Sequence, residues 1–164
     1  MTHSPTKREM RLDLSTVIGT LGDDRGVYAH TPGTHREMLD LAFVRRIYSQ
    51  FWPQGYRNSW NLHEWKDHLQ HSQATCYLTD CGFVEFHPDE GQSLFVELLA
   101  VNRRHHRRGH GRALMSQVIR HGLALKLRRI ILLTTVEVEA FYSRLGFEFY
   151  REVPDDDTPP PAAA

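Results

Sequence analysis

Leu98-Leu-Ala-Val-Asn-Arg-Arg-His-His-Arg-Arg-Gly-His-Gly-Arg-Ala-Leu-Met115 decides how this chain is read. An apolar run of strand composition passes into a basic loop punctuated by Gly109 and Gly111, and the loop opens a helix. After Gly111 the apolar residues switch to helical spacing, with Ala113, Leu114, Val118, Ile119 and Leu123 on one face. A helix N-terminus carries unsatisfied N–H groups and partial positive charge. Placed after a strand, it binds phosphate through the backbone. Glycines there allow an anion to approach closely, and Arg103, Arg104, Arg107, Arg108 and Arg112 add charge that attracts it. A Walker A loop does not fit, because no Gly-Lys-Ser/Thr follows, and the dinucleotide fingerprint lacks its second half. The competing reading is a solvated basic loop with a glycine-assisted turn.

Outward from this loop, the bulk properties describe one folded domain. The chain has 164 residues, 40% hydrophobic and 24% charged, which suits a single core rather than a disordered chain. Lys plus Arg equals Asp plus Glu, 20 each, so net charge lends nothing to a nucleic-acid binder. A binder using the arginine loop would also need a reader motif, and none is recognised. No run reaches the ~18 apolar residues of a membrane span. Two cysteines, Cys76 and Cys81, and no secretory signal point to a cytoplasmic protein with free thiols.

Residues 1–12 are expected to be a flexible tail, 13–153 a single domain, and the Pro-, Asp- and Ala-rich 154–164 a disordered end. Thr34-His-Arg-Glu37 and Asn61-Leu-His-Glu64 have capping-box spacing and predict two helices. Leu14–Ile18 and Gly26–His30 are weak strand candidates. Ala74–Thr79, Gly82–His87 and Ser93–Val101, separated by short turns, predict an antiparallel meander. Then come the helix after Gly111, a buried strand Arg129–Thr135, a short helix Glu137–Leu145 stopped by Gly146, and a last strand Phe147–Val153. This order predicts an α/β (α+β) fold, a mixed sheet with helices on its faces.

A second segment, Phe141-Tyr-Ser-Arg-Leu-Gly-Phe147, is by itself a helix ending on glycine with aromatics for the core. Taken together, the two segments resemble the GCN5-related N-acetyltransferase (GNAT) superfamily. A strand ending Leu-Ala-Val precedes the family's Q/R-x-x-G-x-G/A loop, here His106-Arg-Arg-Gly109-His-Gly111. A helix and a strand follow, then Tyr-x-x-x-Gly-Phe, here Tyr142-Ser-Arg-Leu-Gly146-Phe147. The similarity covers roughly residues 76 to 150. It implies a mostly antiparallel sheet splayed at its central strands.

The resemblance also implies acetyl-CoA as acyl donor and an N-acetyltransferase acting on a primary amine, small molecule or protein, by direct transfer in a ternary complex. Leu99, Ala100 and Val101 would offer main-chain groups to the pantetheine arm. Arg107, Arg108, Gly109, His110, Gly111 and Arg112 map to the pyrophosphate loop. Tyr142 maps to the residue that protonates the departing CoA thiolate. Dimers are common in the superfamily, so a homodimer is compatible with it. The alternative is a catalytically weak CoA-binding regulatory module of the same fold.

Transfer to an amine requires that its ammonium proton be removed. Glu97 is the first candidate base, as the only acid in an otherwise apolar strand. Counting by two places it on the face of Leu99 and Val101, and partial burial there would suit proton transfer. The competing reading is a strand-edge carboxylate paired with an arginine. Glu85 is second, with a solvent-facing residue of an alternating strand as its simpler reading.

Two positions depart from the family pattern. His106 stands where Gln or Arg is usual, and Thr135 stands where an Asn often contacts the CoA arm. The loop histidines His105, His106 and His110 show no two-Cys/two-His spacing, so they read as solvated or phosphate-facing and no metal is expected. Cys76 reads as a core residue and Cys81 as a turn residue, with no support for a cysteine nucleophile. Phe51, Trp52, Tyr56, Trp60 and Trp65 read as core packing, with a wall of the acceptor pocket as the functional alternative.

Overall fold

A computed structural model describes residues 6–17, 21–22 and 26–155. Seven strands form one sheet in the order β2-β3-β4-β5-β6-β1-β7. They are β1 Thr6–Asp13, β2 Tyr28–Ala29, β3 Thr75–Leu78, β4 Gly82–Asp89, β5 Ser93–Val101, β6 Arg129–Thr134 and β7 Glu148–Pro154. The helices are α1 Glu37–Phe51, α2 Leu62–His71, α3 His110–Ala124 and α4 Glu139–Arg144. All strand pairs are antiparallel except β5 with β6. That parallel step is what a helical crossover produces, and α3 supplies it.

Alternation along β4 divides the interior in two. Val84 and Phe86 join Leu94, Val96, Ile130 and Leu132 beneath Leu114, Met115, Val118 and Ile119 of α3. Tyr142 and Phe147 extend the same cluster. Phe83 points the other way, with Leu78 and Ala100, under Leu41, Val44 and Ile47 of α1 and Trp65 and Leu69 of α2.

The N-terminus corrects the sequence expectation. Residues 6–12 are no tail: β1 lies inside the sheet, paired with β6 on one side and β7 on the other. Met10 and Leu12 are buried. The charges around them, which disguised the strand, are held by neighbours. Glu9 accepts from Arg11 at 2.8 Å and Arg151 at 3.1 Å, and Arg8 meets Glu139 at 2.6 Å. Arg8 and Arg11 also lie over the rings of Phe149 and Tyr150. The weak strand candidate at Leu14–Ile18 is instead a 3-10 turn over Leu14–Thr16, with Ile18 outside the described residues. Most of the expected C-terminal tail, 156–164, also lies outside them.

The two capping boxes differ in outcome. Asn61 Oδ1 accepts the Glu64 N–H at 2.9 Å, as its spacing predicts. At α1 the cap slips. The Thr34 hydroxyl donates to the Thr31 carbonyl, Arg36 caps with no side-chain bond, and Glu37 reaches back to the Gly33 N–H at 3.1 Å.

Candidate active site

The site begins where β5 leaves β6. The parallel ladder runs only from Ser93↔Arg129 to Val96↔Leu132, although β5 continues to Val101. Past Val96, the side of β5 that faces β6 has no ladder partner. At the same point β5 carries a bulge against β4: Glu85 pairs with Leu98 and Phe86 with Val96, so Glu97 is the extra residue.

The bulge changes the face of Glu97. Its carboxylate lies 3.4 Å from Nε2 of His87, and the His87 ring packs on Phe95. Leu99 and Val101 pack instead with the α3-side cluster. Counting by two across a bulge is off by one residue, which corrects the shared face expected from the sequence. Glu97 is a third exposed at its side chain, and its partner is a histidine rather than an arginine. His87 Nδ1 faces the Pro88 carbonyl at 2.9 Å. Both ring nitrogens thus meet acceptors, which favours the imidazolium. The bond to Glu97 raises the His87 pKa against the opposing effect of burial.

The loop after β5 is built by its own short bonds. The Asn102 N–H donates to the Cys81 carbonyl at 2.7 Å, tying the loop to the β3–β4 turn. Asn102 Oδ1 accepts from the Arg104 N–H. His106 Nε2 donates to the Val101 carbonyl at 2.7 Å, and its ring stacks on Phe51 of α1. The Val101 carbonyl expected to serve a ligand is therefore engaged by His106, which braces the loop from beneath.

At the start of α3, Gly109 is the cap residue at φ 85°, with no side-chain cap. The Ala113 N–H returns to the Gly109 carbonyl at 2.9 Å, so the first-turn N–H groups of His110, Gly111 and Arg112 have no intrahelical acceptor. Arg107, Arg108 and Arg112 are exposed around this turn and form no ion pair among the described residues.

Each of the two glycines also has a reason internal to the fold. A Cβ on Gly109 would meet nothing within 4 Å, so its role is the left-handed backbone. A Cβ on Gly111 would lie 3.2 Å from Phe141 Cζ, so its role is the close seating of α3 on α4.

Tyr142 sits on α4, 7% exposed, between Phe141 and Phe147. Its hydroxyl makes no hydrogen bond among the described residues, and burial pushes its pKa up to about 12. Thr135 is exposed at the end of β6. Its carbonyl accepts from the Thr134 hydroxyl at 3.4 Å.

Glu85 is the largest departure from expectation. It is 1% exposed, not solvent-facing. Arg57, equally buried, grips it with two bonds of 2.7 and 3.0 Å, and His68 Nε2 lies 3.4 Å away. Trp60 and Trp65 face the guanidinium at 5.1 and 5.0 Å. Burial pushes the Glu85 carboxyl up, but His68 and Arg57 outweigh it and hold it at about 2. Such a carboxylate is a poor proton acceptor at neutral pH. The partner Arg57, in a 3-10 turn between α1 and α2, had no signal in the sequence beyond the aromatics around it.

The cysteines are both free and buried. Burial pushes each thiol up, so neither is an activated nucleophile. Cys81 is nonetheless brought together with His105 and His110, their ligand atoms all within 4.8 Å of one another. No spacing rule points to this grouping.

The model of the acetyltransferase (GNAT) family matches residues 41–147, and the chain belongs to that family. Its members are generally acetyltransferases. Similar solved structures include a GCN5-related N-acetyltransferase from Sphaerobacter thermophilus, with TM-score 0.67 and 15% identity. The match covers 90% of this chain and 49% of that one. A GCN5-related glucosamine N-acetyltransferase region of a fungal multi-domain GH3 β-N-acetylglucosaminidase aligns with TM-score 0.64 and 12% identity, over 92% and 20%. Tetrahymena GCN5 aligns with TM-score 0.57 and 18% identity, over 72% and 76%. At such low identities the structural likeness shows the fold alone. The chain spans about half of the Sphaerobacter protein and a fifth of the fungal one. A search of curated proteins finds no match. No helix among the described residues is long and apolar enough to cross a membrane.

Proposed function

We propose that this domain moves an acetyl group from acetyl-CoA to a primary amine by direct attack in a ternary complex. The observation that carries the reading is the gap between β5 and β6, which opens beside the uncapped first turn of α3. A gap between strands exposes main-chain groups for a polar, extended ligand arm. An open helix N-terminus flanked by arginines suits a pyrophosphate. In this reading Leu99, Ala100 and Val101 line the pantetheine arm, and residues 107–112 hold the pyrophosphate. His106 and Thr135 support the loop and the arm's far wall.

The amine nitrogen attacks the thioester carbonyl carbon, the C–S bond breaks, and CoA leaves as thiolate. The amine's proton passes to Glu97, directly or through water. Tyr142 donates its hydroxyl to the sulfur. With its pKa near 12, above the ~8.5 of an ordinary thiol, the phenol acts chiefly as a hydrogen-bond donor to the developing thiolate. The reading places the reaction in the cytoplasm, where two unpaired thiols persist. It needs neither a nucleic acid nor a membrane as partner.

Isothermal titration with acetyl-CoA tests the first half, and no binding at high micromolar concentration would sink it. Tyr142→Phe should lower turnover by about tenfold or more with little change in acetyl-CoA affinity. Unchanged turnover removes the assigned role. A second reading, a CoA-binding regulatory module, is favoured by the engagement of His106 with the Val101 carbonyl. Tight CoA binding with only slow hydrolysis or transfer across a broad amine panel would select it.

A further inference from the structure

We propose that Cys81, His105 and His110 form a binding site for a borderline divalent transition-metal ion, zinc above all, that clamps the β3–β4 turn to the first turn of α3. The three residues come from three segments. Cys81 lies in the turn before β4, His105 ends the 3-10 turn Arg103–His105, and His110 is the first residue of α3. One ligand atom from each lies within 4.8 Å of the others.

Zinc holds sulfur at about 2.3 Å and imidazole nitrogen at about 2.0–2.1 Å, which sets tetrahedral ligand atoms about 3.4–3.6 Å apart. Closing the cluster thus requires side-chain shifts of about 1 Å, with no change of fold. The backbone already joins the two sides, through the Asn102 N–H on the Cys81 carbonyl.

The donor set is specific in its chemistry. One thiolate and two imidazoles suit zinc and exclude magnesium and calcium, which take oxygen ligands. Three protein ligands leave a fourth position for water or an exogenous group. Asp80, whose Oδ1 accepts from the Cys81 thiol at 3.3 Å, adds negative charge beside the site. Arg108 Nη1 lies 3.4 Å from His105 Nδ1. A metal taking that nitrogen displaces the guanidinium and frees Arg108 toward the loop. The inference does not rest on the acetyl-transfer reading, because the site is defined by its own ligands, although His110 also lies in the loop that reading gives to the pyrophosphate.

The test uses the tag-free, full-length protein stripped of metal and titrated with cobalt(II). One equivalent should bind, with a sulfur-to-cobalt charge-transfer band that zinc then abolishes. Cys81→Ser should lose the band, and Cys76→Ser should keep it. The His105→Asn/His110→Asn double variant, altered at partly exposed positions, should lose stoichiometric binding even where Cys81→Ser fails to fold. Zinc should also raise the melting temperature of the wild type and not of the histidine double variant. No band, a band that survives in Cys81→Ser, or an equal zinc-induced rise in the double variant overturns the proposal.

Discussion

The two faces of the sheet handle charge in opposite ways. On the face of α1 and α2, Arg57, Glu85 and His68 sit among tryptophans, and the charged groups of this cluster face one another. At the end of the sheet where α3 begins, Arg107, Arg108 and Arg112 are exposed, and the first-turn N–H groups lack acceptors. A buried pair has little left to offer a ligand. An open loop of like charge has attraction in reserve. Charge density alone does not mark a binding site. What marks it is charge left unsatisfied by the fold.

The largest expected effect tests the buried side. Glu85→Leu strands the Arg57 charge and should cost about 3–5 kcal/mol in urea unfolding, whereas adding Arg57→Met should recover most of that loss. A double variant as unstable as the single one would break the comparison, since it would mean that packing rather than charge pairing governs the cluster.

Next in size is an acid dependence. The folded Glu85 carboxyl lies near 2 against an ordinary 4.5. Its pKa is depressed, so its contribution is fully present above about pH 4.5 and is lost as pH falls toward about 2. The loss should reach about 3 kcal/mol. The Arg57→Met/Glu85→Leu double variant should lack this component of the slope, and an identical acid profile for both proteins would refute the assignment.

On the open side, Gly109→Val forces a β-branched residue into φ 85°. It should cost about 1–2 kcal/mol and weaken acetyl-CoA binding, as calorimetry would show. Full stability with intact binding would mean that the loop does not depend on that backbone. The smallest effect is electrostatic. Arg107→Ala and Arg108→Ala should each weaken acetyl-CoA binding by about 0.2–1 kcal/mol at low ionic strength, and by less as salt rises. Salt-independent affinity would sharpen the comparison differently, by assigning the anion to the backbone N–H groups alone.

Reading the sequence worked where a signal was local. The meander, the helix after Gly111 and the Asn61 cap all appear near their expected places, because alternation, helical period and capping chemistry operate over a few residues. It failed at residues 6–12, where charges paired across strands looked like a tail's polarity. It failed again at Glu97, because one inserted residue reverses every face counted from the other side of the bulge. Glu85 looked solvent-facing because its partner lies 28 positions earlier, in a turn with no pattern of its own.

The amino-acid order by itself determined the family resemblance, the basic loop with its glycine-opened helix, and the position of Tyr142 before Gly146-Phe147. Each depends on contiguous residues and backbone conformation. Only the tertiary structure decided that β1 lies between β6 and β7, that Glu97 faces His87, and that Arg57 neutralises Glu85. The grouping of Cys81, His105 and His110 was decided at the same level. These are contacts between segments distant along the chain. Their chemistry depends on distance and burial, which arise only once the sheet has formed and its strands have taken their register.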